Sequence, residues 1–257
     1  MNIKRFAILG AVCGALLLPA TVTPAAAADE IVLNKQNWSF NGPFGTFDKA
    51  SVQRGFQVYK EVCSACHSLK LAYYRDLQGA GLTEEQIKTL AAEVTVPMIG
   101  DDGQPAERKA LPSDHFKSPF PNDLAARAAN NGALPPDQTL LVNAREGGPD
   151  YIYSLLTGYT EPPKGMKMGD GMNYNKVMPG NQIAMGAPLS DDSVTYADGT
   201  KATLEQEARD ITTFLTFIAN PETEGRKRLG IRVMIFLAAL TCVTYAVKRQ
   251  VWSDVHH

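Results

Sequence analysis

The sequence predicts a mainly α-helical domain with long loops, carried on one C-terminal transmembrane helix. Three observations carry this prediction. Apolar residues recur at helical spacing behind cap signals at Asp48, Thr83 and Thr203. Two long stretches, 95–121 and 158–190, are punctuated by Gly and Pro and separate the helical segments. The run 229–247 is apolar except for Arg232 and is flanked by basic clusters.

Each element has its own signal. Asp48 is placed to cap a helix on which Val52, Phe56 and Tyr59 share a face, and that helix leads directly into Cys63. Thr83-Glu84-Glu85-Gln86 is a capping box, followed by Ile87, Leu90, Ala91 and Val94 on one face. Residues 95–121 read as a loop. Short helices are expected over 123–130, 137–145 and 150–156, each bounded by Gly or Pro. The stretch 158–190 is expected to be irregular, and a loop that long should have a function. Asp198-Gly199 suggests a hairpin turn. A second capping box, Thr203 to Gln206, then opens an amphipathic helix through Leu204, Ala208, Ile211, Leu215 and Ile218 that Pro221 stops.

Both ends of the chain read as membrane signals. Lys4 and Arg5 precede an apolar run from Phe6 to Leu18, then Pro19 and the small residues Ala25 to Ala28, the pattern of a secretory leader cut after Ala27 or Ala28. The nineteen residues of 229–247 would span about 28 Å as a helix, close to the hydrocarbon thickness, with Arg232 snorkelling to the interface. Arg226, Lys227, Arg228 and Arg232 outnumber Lys248 and Arg249 beyond the span. By the positive-inside rule alone that would place the body in the cytoplasm. The leader overrides this count, because the body is translocated first and the span then stops transfer. The expected organisation is therefore a cleaved signal peptide over 1–28, a periplasmic domain over 29–225, a transmembrane anchor over 226–250 and a cytoplasmic stub over 251–257, single-pass in a bacterial inner membrane.

Charge follows the same boundaries. The leader holds +2 and residues 221–257 hold six basic against three acidic side chains, so of the total −2 the body over 29–220 carries −7. Such a body suits a basic protein partner and not nucleic acid. Of four cysteines, Cys13 lies in the leader and Cys242 in the apolar tail, so the body keeps only Cys63 and Cys66.

Those two cysteines belong to Cys63-Ser64-Ala65-Cys66-His67, the CxxCH attachment signature of c-type haem. Two residues between the thiols let both sulfurs reach one porphyrin edge while the adjacent imidazole is delivered to the iron. No second CxxC or nearby Cys/His pair completes a zinc shell. Export agrees with the motif, because haem c is joined to protein outside the bacterial cytoplasm. The second axial ligand has several candidates: His115 and the methionines at 98, 166, 168, 172, 178 and 185. Thioether ligation favours ferrous iron and raises the potential. Met185, in a loop and followed by Gly186 and Pro188, and Met178, before Pro179, both suit it.

Longer strings carry a resemblance. Arg54-Gly55-Phe56-Gln57-Val58-Tyr59-Lys60 precedes the motif, and the runs 125–137, 153–159, 179–185 and 226–230 follow it. Over about 48–252 the chain resembles the cytochrome c1 family, the haem-c subunits of cytochrome bc1 complexes (ubiquinol:cytochrome c oxidoreductase), in a bacterial form. The resemblance implies a class I cytochrome c-like haem domain with one covalent haem c, ligated by His67 and Met185. It places Arg145 near a haem propionate with Tyr151 packed nearby. Some bacterial relatives carry a disulfide ahead of the axial methionine; this chain has no cysteine there, leaving Tyr159, Tyr174 and the prolines to hold that loop. The implied function is one-electron transfer from the Rieske iron-sulfur protein to a soluble c-type cytochrome, beside cytochrome b in a dimeric complex within membrane lipid. No catalytic residue is implied, since quinol is oxidised elsewhere. Two other classes are open: a tethered haem peroxidase, which needs a displaceable distal ligand, and a stand-alone membrane-anchored cytochrome.

Overall fold

Two helices meet at the centre of the domain, α1 (Lys49–Glu61) and α5 (Leu204–Ala219), and the other elements are arranged about their crossing. The structure, a computed structural model, describes residues 31–254; the expected leader over 1–28 and the closing His256-His257 pair lie outside the described residues. α1 forms where Asp48 leads: its Oδ1 accepts from the Ala50 and Ser51 amides, closing two of the donors a helix start leaves open. Its buried face, Val52, Gly55, Val58 and Tyr59, packs against Ile211, Phe214 and Leu215 of α5. Aromatic rings extend this core in two directions. Trp38, Phe40, Phe47 and Phe217 run in edge and stacked contacts on one side, and Phe56, Tyr59, Tyr74, Phe116 and Phe214 cluster on the other.

Charge is buried at the same crossing. Asp210 is fully buried and accepts two bonds from Arg54, Nε to Oδ2 at 2.8 Å and Nη2 to Oδ1 at 3.1 Å, one from Ser51 Oγ at 2.6 Å and one from Gln206 Nε2 at 2.9 Å. The third arm of Arg54 reaches Asp198 at 2.9 Å. A carboxylate with four donors is compensated for its loss of water.

The remaining helices are α2 (Glu84–Ala92), α3 (Asp123–Ala129) and α4 (Pro149–Thr157). Thr83 and Gln86 close both bonds of the expected capping box on α2. On α5 only half of the expected box forms: Thr203 accepts from the Gln206 amide, but the Gln206 side chain turns to Asp210. Three expectations are corrected. The loop over 95–121 contains an antiparallel hairpin, β1 (Thr95–Ile99) and β2 (Pro105–Lys109), closed by a turn at 100–104 in which Gly103 takes a positive φ. The segment 137–145 is a series of turns instead of a helix: Asp137 Oδ1 accepts from the Thr139 amide as a cap would, but Oδ2 is held by Ser68 and Lys70. Asp198-Gly199 makes a turn, Gly199 N to Tyr196 O at 3.1 Å, with no strands beside it. Within 158–190 two short strands pair, β3 (Asn173–Tyr174) and β4 (Gln182–Ile183).

The C-terminal helix α6 (Thr223–Val251) has 29 residues, none of them buried, and is long and apolar enough to cross a membrane. Its length, about 43 Å, exceeds the hydrocarbon layer, so its first turns belong to the domain. There Lys227 Nζ donates to Phe40 O at 2.6 Å and Gly45 O at 3.0 Å, and Glu224 Oε1 accepts from Phe47 N at 2.9 Å.

Candidate functional site

The end of α1 ties the CxxCH segment into a tight knot. Val62 caps the helix, Cys63–Ala65 form a 3-10 turn, and the Cys63 carbonyl accepts from both Cys66 N at 3.1 Å and His67 N at 2.9 Å. Ser64 Oγ donates back to Lys60 O at 2.8 Å. The two thiols are unpaired and differently placed: Cys63 packs against the core and Cys66 is exposed. Burial, reinforced by the neighbouring Cys66, pushes the Cys63 thiol up to about 12, so it is held as S–H in the bare chain.

His67 is oriented by a backbone partner far along the chain. Its Nδ1 lies 2.8 Å from Pro136 O. A carbonyl can only accept, so Nδ1 carries the proton and the neutral ring leaves the Nε2 lone pair free. Burial lowers the imidazole's affinity for a second proton, against the bond to Pro136 and the pull of Asp137, and favours this neutral form. Pro136 is held in turn by Asp137. The Asp137 carboxylate accepts from Ser68 Oγ at 2.8 Å, Lys70 N at 2.7 Å and Thr139 N at 3.0 Å, while Gln138 N donates to Ser68 O at 2.9 Å. Burial acts to raise the Asp137 carboxyl, but these bonds outweigh it and hold it below the usual range. Tyr59 OH reaches His67 O at 3.2 Å. An unpaired CxxC with an adjacent imidazole whose Nε2 is left open is the donor set that a covalently attached haem requires.

The methionine segment hangs from the end of α4. Tyr159 pairs with Asn175 in an isolated bridge, and Tyr159 OH donates to Met185 O at 3.2 Å. Met178 lies near the other named aromatic: Tyr151 OH is 3.9 Å from its sulfur. Arg145 sits exposed in the turn before α4; its carbonyl accepts from Gly148 N at 3.0 Å, and its guanidinium donates weakly to Ala144 O at 3.5 Å. Gly147 and Gly148 shape that turn with φ of 83° and 52°. At Gly147 the positive φ favours glycine, and a Cβ there would also press on the tip of Leu33, 2.2 Å from Cδ1. The structure thus brings Tyr151 to Met178 and Tyr159 to Met185. His115 is exposed and stacks on Tyr73, with ring centroids 3.9 Å apart.

Sequence reasoning passed over the supports of this site. Asp137 read as the start of a helix, Pro136 carried no assigned role, and Asn175 was silent. Tyr159, Tyr174 and the prolines were expected to hold the loop, and of these Tyr159 bonds to Met185 itself.

The fold and the site together define a mainly helical domain with a long apolar C-terminal helix that presents a c-type haem attachment motif at a helix end. The chain belongs to the cytochrome c1 family: the Cytochrome C1 family model matches residues 38–255. A relative in Rhodospirillum rubrum, cytochrome c1, is 46% identical over 252 residues, covering 91% of this chain and 93% of that protein. The mitochondrial cytochrome c1 haem protein of Saccharomyces cerevisiae is 50% identical over 220 residues, 85% of this chain and 71% of its own. A mitochondrial cytochrome b-c1 complex catalytic subunit of Candida albicans is 48% identical over 221 residues, 85% and 77% of the two chains.

Proposed function

We propose that this chain is the haem-bearing electron-transfer subunit of a bacterial cytochrome bc1 complex, passing single electrons from the Rieske iron-sulfur protein to a soluble c-type cytochrome. One haem c, when bound, supplies a one-electron iron couple. Cys63 and Cys66 would hold it covalently, and His67 Nε2 and the Met185 thioether would ligate the iron. Arg145 would offset propionate charge, with Tyr151 packed nearby. The single observation that carries this reading is the orientation of His67: its Nδ1 bond to Pro136 O presents Nε2 as a ligand beside two free thiols.

The chain's own residues do the rest. Asp137 and Tyr59 fix the backbone on either side of the imidazole. A soft, neutral sulfur donor raises the potential, as an acceptor for a high-potential iron-sulfur centre requires. The same reading places 1–28 as a removed signal peptide, 29–225 in the periplasm, 226–250 across the inner membrane beside cytochrome b, and 251–257 in the cytoplasm of a dimeric complex. The acidic body would steer a basic cytochrome, so that association slows as ionic strength rises.

The test is a pair of substitutions in the membrane-bound complex. Met185→Leu should abolish the thioether-to-iron absorption band and lower the potential while the haem stays covalently attached; Met178→Leu should change neither. Loss of the band in Met178→Leu instead would overturn the ligand assignment. Purification of the chain in mild detergent without cytochrome b or the Rieske protein would overturn the subunit reading.

A further inference from the structure

We propose that Asn175 is a positioning residue for Met185, a buried side-chain clamp that holds the methionine segment against the end of α4 without a disulfide. The inference rests on Met185 being the iron ligand. Asn175 is fully buried. Its Nδ2 donates to Leu155 O at 2.8 Å, in the last turn of α4. Its Oδ1 accepts from Val177 N at 2.9 Å and Met178 N at 3.3 Å. Its backbone N donates to Asn181 O at 3.1 Å, and its backbone O accepts from Asn181 Nδ2 at 3.3 Å. The side chain therefore joins the helix end to the turn over 176–178, and the backbone of the same residue holds the segment entering β4.

Met185 follows β4 by two residues, and among the described residues its hydrogen bond comes from Tyr159 OH to its carbonyl. Tyr159 is in turn bridged to Asn175. Met185 is thus held toward the end of α4 through Tyr159 and the residue bridged to it, beside the weaker Tyr151–Met178 contact and the bond from Lys176 N to Gly158 O. The fit is close: a Cβ on Gly158 would stand 3.1 Å from Asn175 Oδ1 and 2.6 Å from Ser154 O. Replacing Asn175 by alanine leaves the Leu155 carbonyl with only its 3.3 Å bond from Gly158 N and strands the Val177 amide in the interior, and an unmet buried group is more costly than a missing bond. The loop would then relieve that cost by moving, and a methionine tethered only through Tyr159 would move with it.

The experiment uses the intact complex and reads the thioether-to-iron band, the midpoint potential and carbon monoxide binding to the reduced haem. Asn175→Ala should weaken the band, lower the potential and let carbon monoxide bind. Lys176→Ala, an exposed neighbour, should do none of these. Tyr174 and Gln182 are antiparallel partners in β3 and β4, about 4.5–5.5 Å apart at Cα, a span that a disulfide bridges. Adding Tyr174→Cys and Gln182→Cys to Asn175→Ala should restore the band. An Asn175→Ala protein with an unchanged band and potential overturns the inference. If the unstapled variant does not accumulate, the stapled one decides: band present supports the clamp, band absent overturns it. A band that survives Met185→Leu would sink the ligand reading instead, and so is distinguishable.

Discussion

A Cβ built on Gly55 would lie 2.0 Å from the carbonyl oxygen of Asp210 and 2.7 Å from Cβ of Phe214. α1 and α5 therefore approach as closely as two backbones allow, at the position that sits one residue from Arg54 and its buried partner. The close approach and the ion pair depend on each other. Arg54 reaches both oxygens of Asp210 because the helices touch, and the pair fixes their register where the apolar contacts alone would let them slide.

Gly55→Ala should therefore destabilise the haem-loaded protein by about 1–3 kcal/mol, the usual cost of overpacking a tight core contact. The clash is with backbone and with the root of a side chain, neither of which can swing away. A fall in the urea midpoint with unchanged slope checks it. An unaltered midpoint would mean that the helices are free to part.

Asp210→Ala should cost more, about 3–5 kcal/mol, because it removes the buried counter-ion of the largely buried Arg54 and leaves only the surface carboxylate of Asp198. Asp210→Asn keeps the shape and an acceptor for Ser51 and should fall between. If Arg54→Met in the Asp210→Ala background failed to recover any stability, the loss would not come from the stranded charge.

Local signals made much of this fold legible. Asp48, Thr83 and Thr203 announce helices through bonds made within three residues, and all three helices form where they point. CxxCH is equally local, and it lies at the helix end the periodicity places there. The hairpin over 95–109 was masked because Pro97 and Pro105 argue against strands, yet it is an isolated two-stranded ribbon in which missing amide donors are tolerated. Asp137 looked like a helix cap because the sequence shows a carboxylate before a helix-like run; its true partners, Ser68 and Lys70, are brought to it only by the fold. Asn175 could not be read at all, since its value lies in a carbonyl twenty residues earlier.

Acid should loosen the protein at two exposed ion pairs. Bonds from Thr200, then from Arg54, hold the Asp198 carboxyl down at about 2, and Arg108, then the Leu111 amide, hold Asp114 at about 2. Between their ordinary value of 3.8 and these values the unfolded chain binds more protons than the folded one. Stability is therefore fully present above about pH 4 and falls as pH drops toward 2. Both groups face water, so each contribution is small. Asp114→Asn and Asp198→Asn should each flatten the dependence of the unfolding midpoint over that window. A slope identical to that of the parent would place acid sensitivity elsewhere.

The anchor is locked to the domain by two side chains at its first turns. Lys227 holds the carbonyls of Phe40 and Gly45, and Glu224 holds the Phe47 amide. Phe40 and Phe47 belong to the aromatic row that ends on Phe217 of α5, so this loop couples α6 to the core. A chain ended after Gly225 loses Lys227 but keeps Glu224, and none of the described residues removed is buried. It should yield a soluble, folded, haem-containing domain whose amides over 40–47 exchange faster than in the full chain, while those of α1 and α5 do not. Lys227→Met in the full-length protein should reproduce the faster exchange with the anchor still present. Equal protection over 40–47 in all three proteins would show that Phe40 and Phe47 are held by ring packing alone. In that case the basic residues at the mouth of α6 would act on the membrane side and not on the domain.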